Sequence, residues 1–414
     1  MKSSDAVKVP FSRPSISTEE EQAVLAVLRS GWLTTGKYAL QFEKDFSDFM
    51  NCADKTVFEE RNALGLSNEN VMSLAVNSNT SGMILAMEAC GVGKGTAVIT
   101  TPYTFVSTAA SARHLGADVY FADIEKDSYN IDVNHVERIL KADRESKNPK
   151  VRAIVPVHIA GNMCNMKRIC ALAKEYGVKV IEDAAHSFPS KTSLGYGGTI
   201  GDVGVFSFYV TKTMTTAEGG MVCTRNKALA KRMTAMRLHG IDRDAWDRYT
   251  SPCASWEYDV VAPGFKCNLP DVLAALGCVQ LKKAEEFFER RKKIALQYND
   301  AFKNLDFLTI PPDGEGNAWH LYLLRIVPEK LKIDRTEFAR IMQQRGIGIS
   351  VHFIPLFRFT YWKNLYPDFT AESFPNAEKN YSQTITIPLW PDMTSEMVDT
   401  VINVVISIGR ENYA

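Results

Sequence analysis

The chain has 414 residues, 45% of them hydrophobic, which suits a large α/β unit with a smaller companion rather than one small core. Lysine plus arginine and aspartate plus glutamate each number 48, so no net field draws the chain to nucleic acid or to an anionic membrane surface, and any anionic ligand has to be held locally. The eight cysteines include no Cys-x-x-Cys pair, residues 1–17 carry no basic patch followed by an apolar run, and no later stretch approaches the roughly 20 apolar residues of a membrane span. The expectation is a soluble, cytoplasmic protein with reduced, mostly buried thiols, no disulfide framework and no cysteine-built zinc site.

In chain order, Ser17-Thr18-Glu19-Glu20 reads as a capping box that opens a helix carrying Val24, Leu25 and Leu28. Residues 52–73 are polar enough for a surface excursion with room for a short helix, and residues 143–150 form a second excursion. From residue 74 onward, β-branched runs at 97–100, 118–121, 153–157, 178–181 and 203–208 alternate with helical patterns, the rhythm of βαβ units and a mostly parallel sheet. Ligands then belong beyond the carboxyl ends of the strands. Residues 282–299 read as a helix leading to a smaller α+β unit, because Pro311-Pro312 stops regular structure and residues 320–327, 334–345 and 348–353 read as strand, helix and strand. The division expected is 1–280 for a large domain and 281–414 for the linking helix and small domain.

Two chemically unlike residues stand out. Asp183 ends an apolar strand, where a carboxylate needs a cation or hydrogen-bond donors, and a protonated pyridine nitrogen is one such partner. Lys212 follows the next strand among small hydroxylated residues rather than on a charged helix face, a setting in which a neutral amine can form a Schiff base. Taken singly, Asp183 reads as a structural acceptor and Lys212 as a surface lysine; together they point to cofactor chemistry. Asn77-Ser78-Asn79-Thr80-Ser81-Gly82 between a strand and a helix over 83–90 offers amides and hydroxyls to a phosphate, although an N-cap alone would look the same. Gly91-Val92-Gly93-Lys94-Gly95-Thr96 lacks the Ser or Thr of a P-loop and reads as a helix-ending turn. The glycines from 195 to 204 open no helix and read as a flexible turn. No histidine spacing suggests a catalytic metal.

Ser30-Gly31-Trp32-Leu33-Thr34-Thr35-Gly36, Thr104-Phe105-Val106-Ser107-Thr108, His158-Ile159-Ala160-Gly161, Glu182-Asp183-Ala184-Ala185-His186, Ala217-Glu218-Gly219-Gly220, His239-Gly240-Ile241 and Gly264-Phe265-Lys266-Cys267-Asn268 fall in one order. In that order the chain resembles the DegT/StrS-type nucleotide-sugar aminotransferases, which have the fold-type I pyridoxal-phosphate (PLP) architecture. The resemblance implies a large domain with a mixed, mostly parallel central sheet flanked by helices and a smaller C-terminal α+β domain. It implies that Lys212 is the Schiff-base lysine, Asp183 the partner of the pyridine nitrogen, and His186 the neighbour of the phenolic oxygen. Phe105 matches the ring-stacking residue, Thr80, Ser81 and Ser207 the phosphate contacts, and Asn268 a residue given by a neighbouring subunit, hence a homodimer with shared active sites. Trp32, Thr34, His320 and His352 match positions that meet the sugar nucleotide, or else pack. The implied reaction moves an amino group from L-glutamate, leaving 2-oxoglutarate, to a nucleotide-linked keto sugar, with a 4-keto-6-deoxy hexose favoured over a 3-keto sugar or a cyclitol. Sugar dehydration, which relatives with histidine in place of the lysine perform, and a non-catalytic regulator are the rival readings; the lysine favours transamination.

Overall fold

The computed structural model describes residues 8–51, 54–242 and 257–414. Its centre is a seven-stranded sheet of Met72–Val76 (β1), Ala97–Thr100 (β2), Asp118–Phe121 (β3), Val151–Ile154 (β4), Lys179–Asp183 (β5), Val203–Ser207 (β8) and Gly220–Thr224 (β9). The spatial order is β1-β9-β8-β5-β4-β2-β3, and only β9 runs against the other six. The α/β class and the mostly parallel sheet agree with the sequence reading. A hairpin of Lys191–Thr192 (β6) and Gly195–Tyr196 (β7) lies in the connection from β5 to β8. Helices cover both faces of the sheet, and the strands are accordingly apolar on both sides: all four residues of β2 and all five of β9 are buried.

Several boundaries differ from the sequence reading for local reasons. The run expected as a strand over 153–157 leaves the ladder at Ile154, since Pro156 has no amide to donate, and rejoins only as a single bridge between Val157 and Asp183. The helix after β1 starts at Asn79 rather than 83, because Ser78 is its N-cap, with Oγ accepting from the Ser81 amide at 3.1 Å. The excursion after residue 51 contains the helix Lys55–Leu64; Cys52 and Ala53, like Cys253, lie outside the described residues. The helix expected over 282–299 is present as Ala284–Phe302, and a separate helix, Asp271–Lys282, precedes it. Residues 348–353 form no strand and meet the small sheet at Thr386, through a Ser350–Thr386 bridge and a hydrogen bond of 2.9 Å between His352 Nδ1 and Thr386 Oγ1. That small sheet is Leu308–Thr309 (β10), Tyr322–Ile326 (β11) and Thr384–Ile387 (β12), all antiparallel, packed on Ala284–Phe302, Arg335–Gln344 and Ser395–Glu411 through Tyr298, Tyr322, Phe338 and Val405. Among the described residues no helix is long and apolar enough to cross a membrane, and no group of three or more His, Cys, Asp or Glu is placed to hold a metal ion.

Asp271 ties the start of the helix Lys37–Met50 to the helix Asp271–Lys282. The helix Lys37–Met50 begins at Gly36, which supplies no capping side chain. The Asp271 carboxylate, in the first turn of Asp271–Lys282, accepts instead from the amides of Gly36 at 2.8 Å, Tyr38 at 3.2 Å and Ala39 at 2.9 Å. Asp271→Ala strands these donors away from water and is expected to lower the free energy of unfolding by about 3 kcal/mol. Urea denaturation measures this, and a loss under about 0.5 kcal/mol, the level of an ordinary surface change, would remove the assigned capping role.

Candidate active site

Because six strands point one way, the segments after β1, β2, β5 and β8 arrive at the same end of the sheet, where they enclose a cavity of about 440 Å3. Asp183, the last residue of β5, is 3% exposed and lines it. Such a carboxylate has to collect donors. Thr108 Oγ1 donates at 2.7 Å, Asn79 Nδ2 at 3.3 Å and the Ala185 amide at 3.2 Å. Thr108 and Asn79 each come from the first turn of a helix, Val106–His114 and Asn79–Ala89, so two helix starts converge on one acid. Among the described residues Oδ2 accepts only the Thr108 bond, which leaves acceptor capacity on a side chain that lines the cavity.

Lys212 reaches the same cavity from the turn after β8, closed by its amide donating to the Tyr209 carbonyl at 2.9 Å. Burial pushes its amine down from 10.5 to about 8, against the pull of the Asp183 charge. His186, His320 and His352 share the cavity wall. The rings of His186 and His320 lie 4.4 Å apart, and His186 stacks on Phe353 at 5.7 Å. Burial, followed by the neighbouring Lys212 and His352, holds His186 well below the ordinary imidazole range; burial and then His186 and Lys212 do the same for His320, and burial and then Lys212 take His352 down to about 3. All three are neutral at physiological pH. The Ala160 amide donates to His186 Nδ1 at 3.2 Å, which leaves the ring proton on Nε2. His320 Nδ1 is buried with no hydrogen-bond partner among the described residues.

Thr80, Ser207 and Phe105 also line the cavity, and Phe105 is 59% exposed at its mouth, in front of Val106–His114. Ser81 is one position removed, its hydroxyl 3.0 Å from that of Ser78. The amides of Asn79 and Thr80 precede the first helical hydrogen bond, so the helix itself does not use them. Gly220 permits the close approach of this helix start: a Cβ there would stand 2.9 Å from the Asn79 nitrogen and 2.7 Å from the Phe206 carbonyl oxygen. Trp32, Thr34 and Asn268 are not on this cavity. Asn268 donates to Thr35 Oγ1 at 2.5 Å and Trp32 Nε1 to the Thr35 carbonyl at 3.3 Å, beside a second cavity of about 720 Å3 that Asn268 and Thr35 line. The sequence reading gave no role of their own to Asn79, Thr108 and Tyr209. Thr108 closes a motif already singled out, but nothing along the chain places its hydroxyl against Asp183.

The family model for the DegT/DnrJ/EryC1/StrS aminotransferases matches residues 14–406. The chain belongs to that family. It is therefore an enzyme of the aminotransferase class, as the resemblance implied. Among its relatives, SpsC of Bacillus subtilis, a spore coat polysaccharide biosynthesis protein, is 39% identical over 405 residues, 97% of each chain. Among solved structures, Spr1654 of Streptococcus pneumoniae in its PMP (pyridoxamine phosphate) form is similar with a TM-score of 0.84 at 27% identity, covering 98% of this chain and 100% of that one. PseC of Helicobacter pylori, an aminotransferase involved in the biosynthesis of pseudoaminic acid, has a TM-score of 0.83 at 27% identity over 97% of this chain and 99% of its own.

The depressed lysine carries a consequence for stability. A charged amine is held in a buried site below about pH 8, so the folded chain binds its proton less tightly than the unfolded chain does, and stability rises with pH between about 8 and 10.5. Lys212→Met is expected to be more stable than the parent below about pH 8, with the gain shrinking to nothing as pH approaches 10.5. Chemical denaturation of cofactor-free protein at several pH values checks this; a pH-independent difference would mean that the lysine is not a buried cation.

Proposed function

We propose that the chain is a PLP-dependent aminotransferase that moves an amino group from L-glutamate to a nucleotide-linked keto sugar, most simply a 4-keto-6-deoxy hexose, in the cytoplasmic synthesis of an amino sugar for a polysaccharide or glycan. The observation that carries the reading is the pairing of Asp183 with the low-pKa amine of Lys212 on one cavity. The residues present suit PLP. Asp183 has acceptor capacity for a protonated ring nitrogen, Phe105 for covering a ring, and Thr80, Ser207 and the amides of Asn79 and Thr80 for a phosphate. Spr1654 is known in PLP and PMP forms, and SpsC and PseC are named for polysaccharide and pseudoaminic acid synthesis.

When bound, PLP supplies the electron sink that lets an α-carbon lose its proton. The chain supplies the rest. Asp183 keeps a proton on the ring nitrogen through a charge that Thr108 and Asn79 hold in place. Lys212 Nζ, with a pKa of about 8, would be basic enough to take the α-proton of glutamate and, once protonated, acidic enough to give a proton back to carbon, in the second half-reaction to the former keto carbon of the sugar. His186, neutral with its proton on Nε2, offers a donor without adding a cation beside Lys212. The small-domain residues His320, Leu321, His352 and Phe353 close the wall where the sugar would enter and exclude water. We read Asn268, with Trp32 and Thr34 beside it, as serving the cavity of a second copy, since they lie away from their own chain's Lys212.

With PLP added, the purified protein is expected to show a visible band that L-glutamate converts to the PMP form, and a panel of nucleotide-linked keto sugars then restores the band. Lys212→Ala is expected to lose amino transfer by at least about 10²–10⁴-fold. A wild-type spectrum that glutamate leaves unchanged would exclude glutamate as donor and favour sugar dehydration.

A further inference from the structure

Glu182, next to Asp183 on β5, points to the opposite face of the sheet and is fully buried. Its Oε2 accepts from His158 Nε2 at 3.0 Å and the Gly198 amide at 2.9 Å, and its Oε1 from the amides of Ile200 and Gly201 at 2.8 Å each. Burial alone would raise its pKa, but the His158 bond and these amides outweigh burial and hold it below the usual carboxylate range. His158 Nδ1 in turn accepts from the Cys164 amide at 3.2 Å, so the ring proton sits on Nε2 and faces Glu182.

His158 opens the turn Ile159–Gly161, whose middle residue Ala160 has φ 61°. Ala160 holds both histidines of the cavity's inner wall, one by its ring and one by its backbone: its amide donates to His186 Nδ1 at 3.2 Å, and its carbonyl accepts the backbone amides of His320 at 3.0 Å and Leu321 at 3.2 Å. Neither Glu182 nor His158 lines the cavity. We propose that Glu182 and His158 form a positioning pair: anchored by the glycine-rich loop, they hold the Ile159–Gly161 turn in the one conformation whose Ala160 amide selects the Nε2–H tautomer of His186 and whose carbonyl places His320 against it. Arg61, from the helix Lys55–Leu64, clamps the same loop by donating to the carbonyls of Leu194 at 3.0 Å and Thr199 at 3.2 Å, so the excursion after residue 51 supports the pair from outside. The pair's action on the two rings is independent of which sugar is used.

The test is the ring nitrogen spectrum of 15N-histidine-labelled, cofactor-free protein, with His186→Asn and His320→Asn assigning two of the seven histidines. In the unmodified protein His186 and His158 are both expected as Nε2–H tautomers; a His186 proton on Nδ1 overturns the proposal, whatever any variant does. In His158→Ala and Glu182→Gln the His186 and His320 signals are expected to shift and His186 to become a tautomer mixture. His158→Gln, which keeps an N–H toward Glu182, restores the parent pattern. With PLP added, kcat for glutamate conversion falls on the order of 10²-fold in His158→Ala and recovers in His158→Gln, as a misplaced group at the reacting centre requires. Unchanged His186 and His320 spectra in folded His158→Ala and Glu182→Gln would show that the pair is only a fold element, and because this readout needs no substrate it fails independently of the aminotransfer reading.

Discussion

A carboxylate and an amine buried at the end of an apolar sheet govern this molecule. Asp183 can remain at 3% exposure only because donors are brought to it, and those donors stand on the first turns of two helices, Asn79–Ala89 and Val106–His114. Both helices must then start at the sheet's carboxyl edge. Gly82 and Gly220 are the concessions that allow the first of them to sit so close: a Cβ at Gly82 would meet Val205 Cγ1 at 2.6 Å, and one at Gly220 would meet the backbone of the helix start. Lys212 accepts the opposite arrangement, with few partners and burial that brings its amine to about 8. The same helix start that satisfies the acid through Asn79 therefore leaves first-turn amides unused by the helix, as an anion site requires.

Both faces of β5 carry an acid, and the two are handled differently. Asp183 faces the cavity with lone pairs to spare; Glu182, on the other face, is saturated by four donors. Ionised carboxylates accept several bonds at once, so one buried glutamate organises a loop that has too little side chain to pack by itself. The glycines at 195, 197, 198, 201 and 204 read along the chain as a flexible turn. In the fold they are held, because Gly198 and Gly201 give their amides to Glu182, and a Cβ at Gly204 would stand 2.0 Å from the Gly198 carbonyl oxygen. Close approach, not mobility, is what Gly197, Gly198, Gly201 and Gly204 provide, while Gly195 supplies a φ of 102°.

Much of the fold was legible because its signals are local. The capping box of Ser17 and Glu20 is present with both of its reciprocal bonds, and the β-branched runs at 97–100 and 118–121 are strands at those positions. Strand β9 escaped notice: Gly220–Thr224 contains glycine, methionine and cysteine, weak strand formers by propensity, and earns its place by pairing with β8 and β1 on both sides. The opposite error at 348–353 has the same origin, since that run pairs its backbone with the edge strand β12 only at Ser350 and builds no ladder.

The candidate site divides along the same line. Ordered motifs placed the chain among the aminotransferases and singled out Asp183 and Lys212, because a charged residue at the end of an apolar run is costly wherever the chain goes, and that cost can be read without coordinates. The sequence by itself determined the strand rhythm, the two unlike charges and the family. Only the tertiary structure decided that Thr108 and Asn79 hold Asp183, that Ala160 sets the proton of His186, and that Trp32, Thr34 and Asn268 stand apart from their own chain's lysine. Those are contacts between residues tens to hundreds of positions apart, and hydrogen-bond direction and burial exist only once the sheet has brought such residues together.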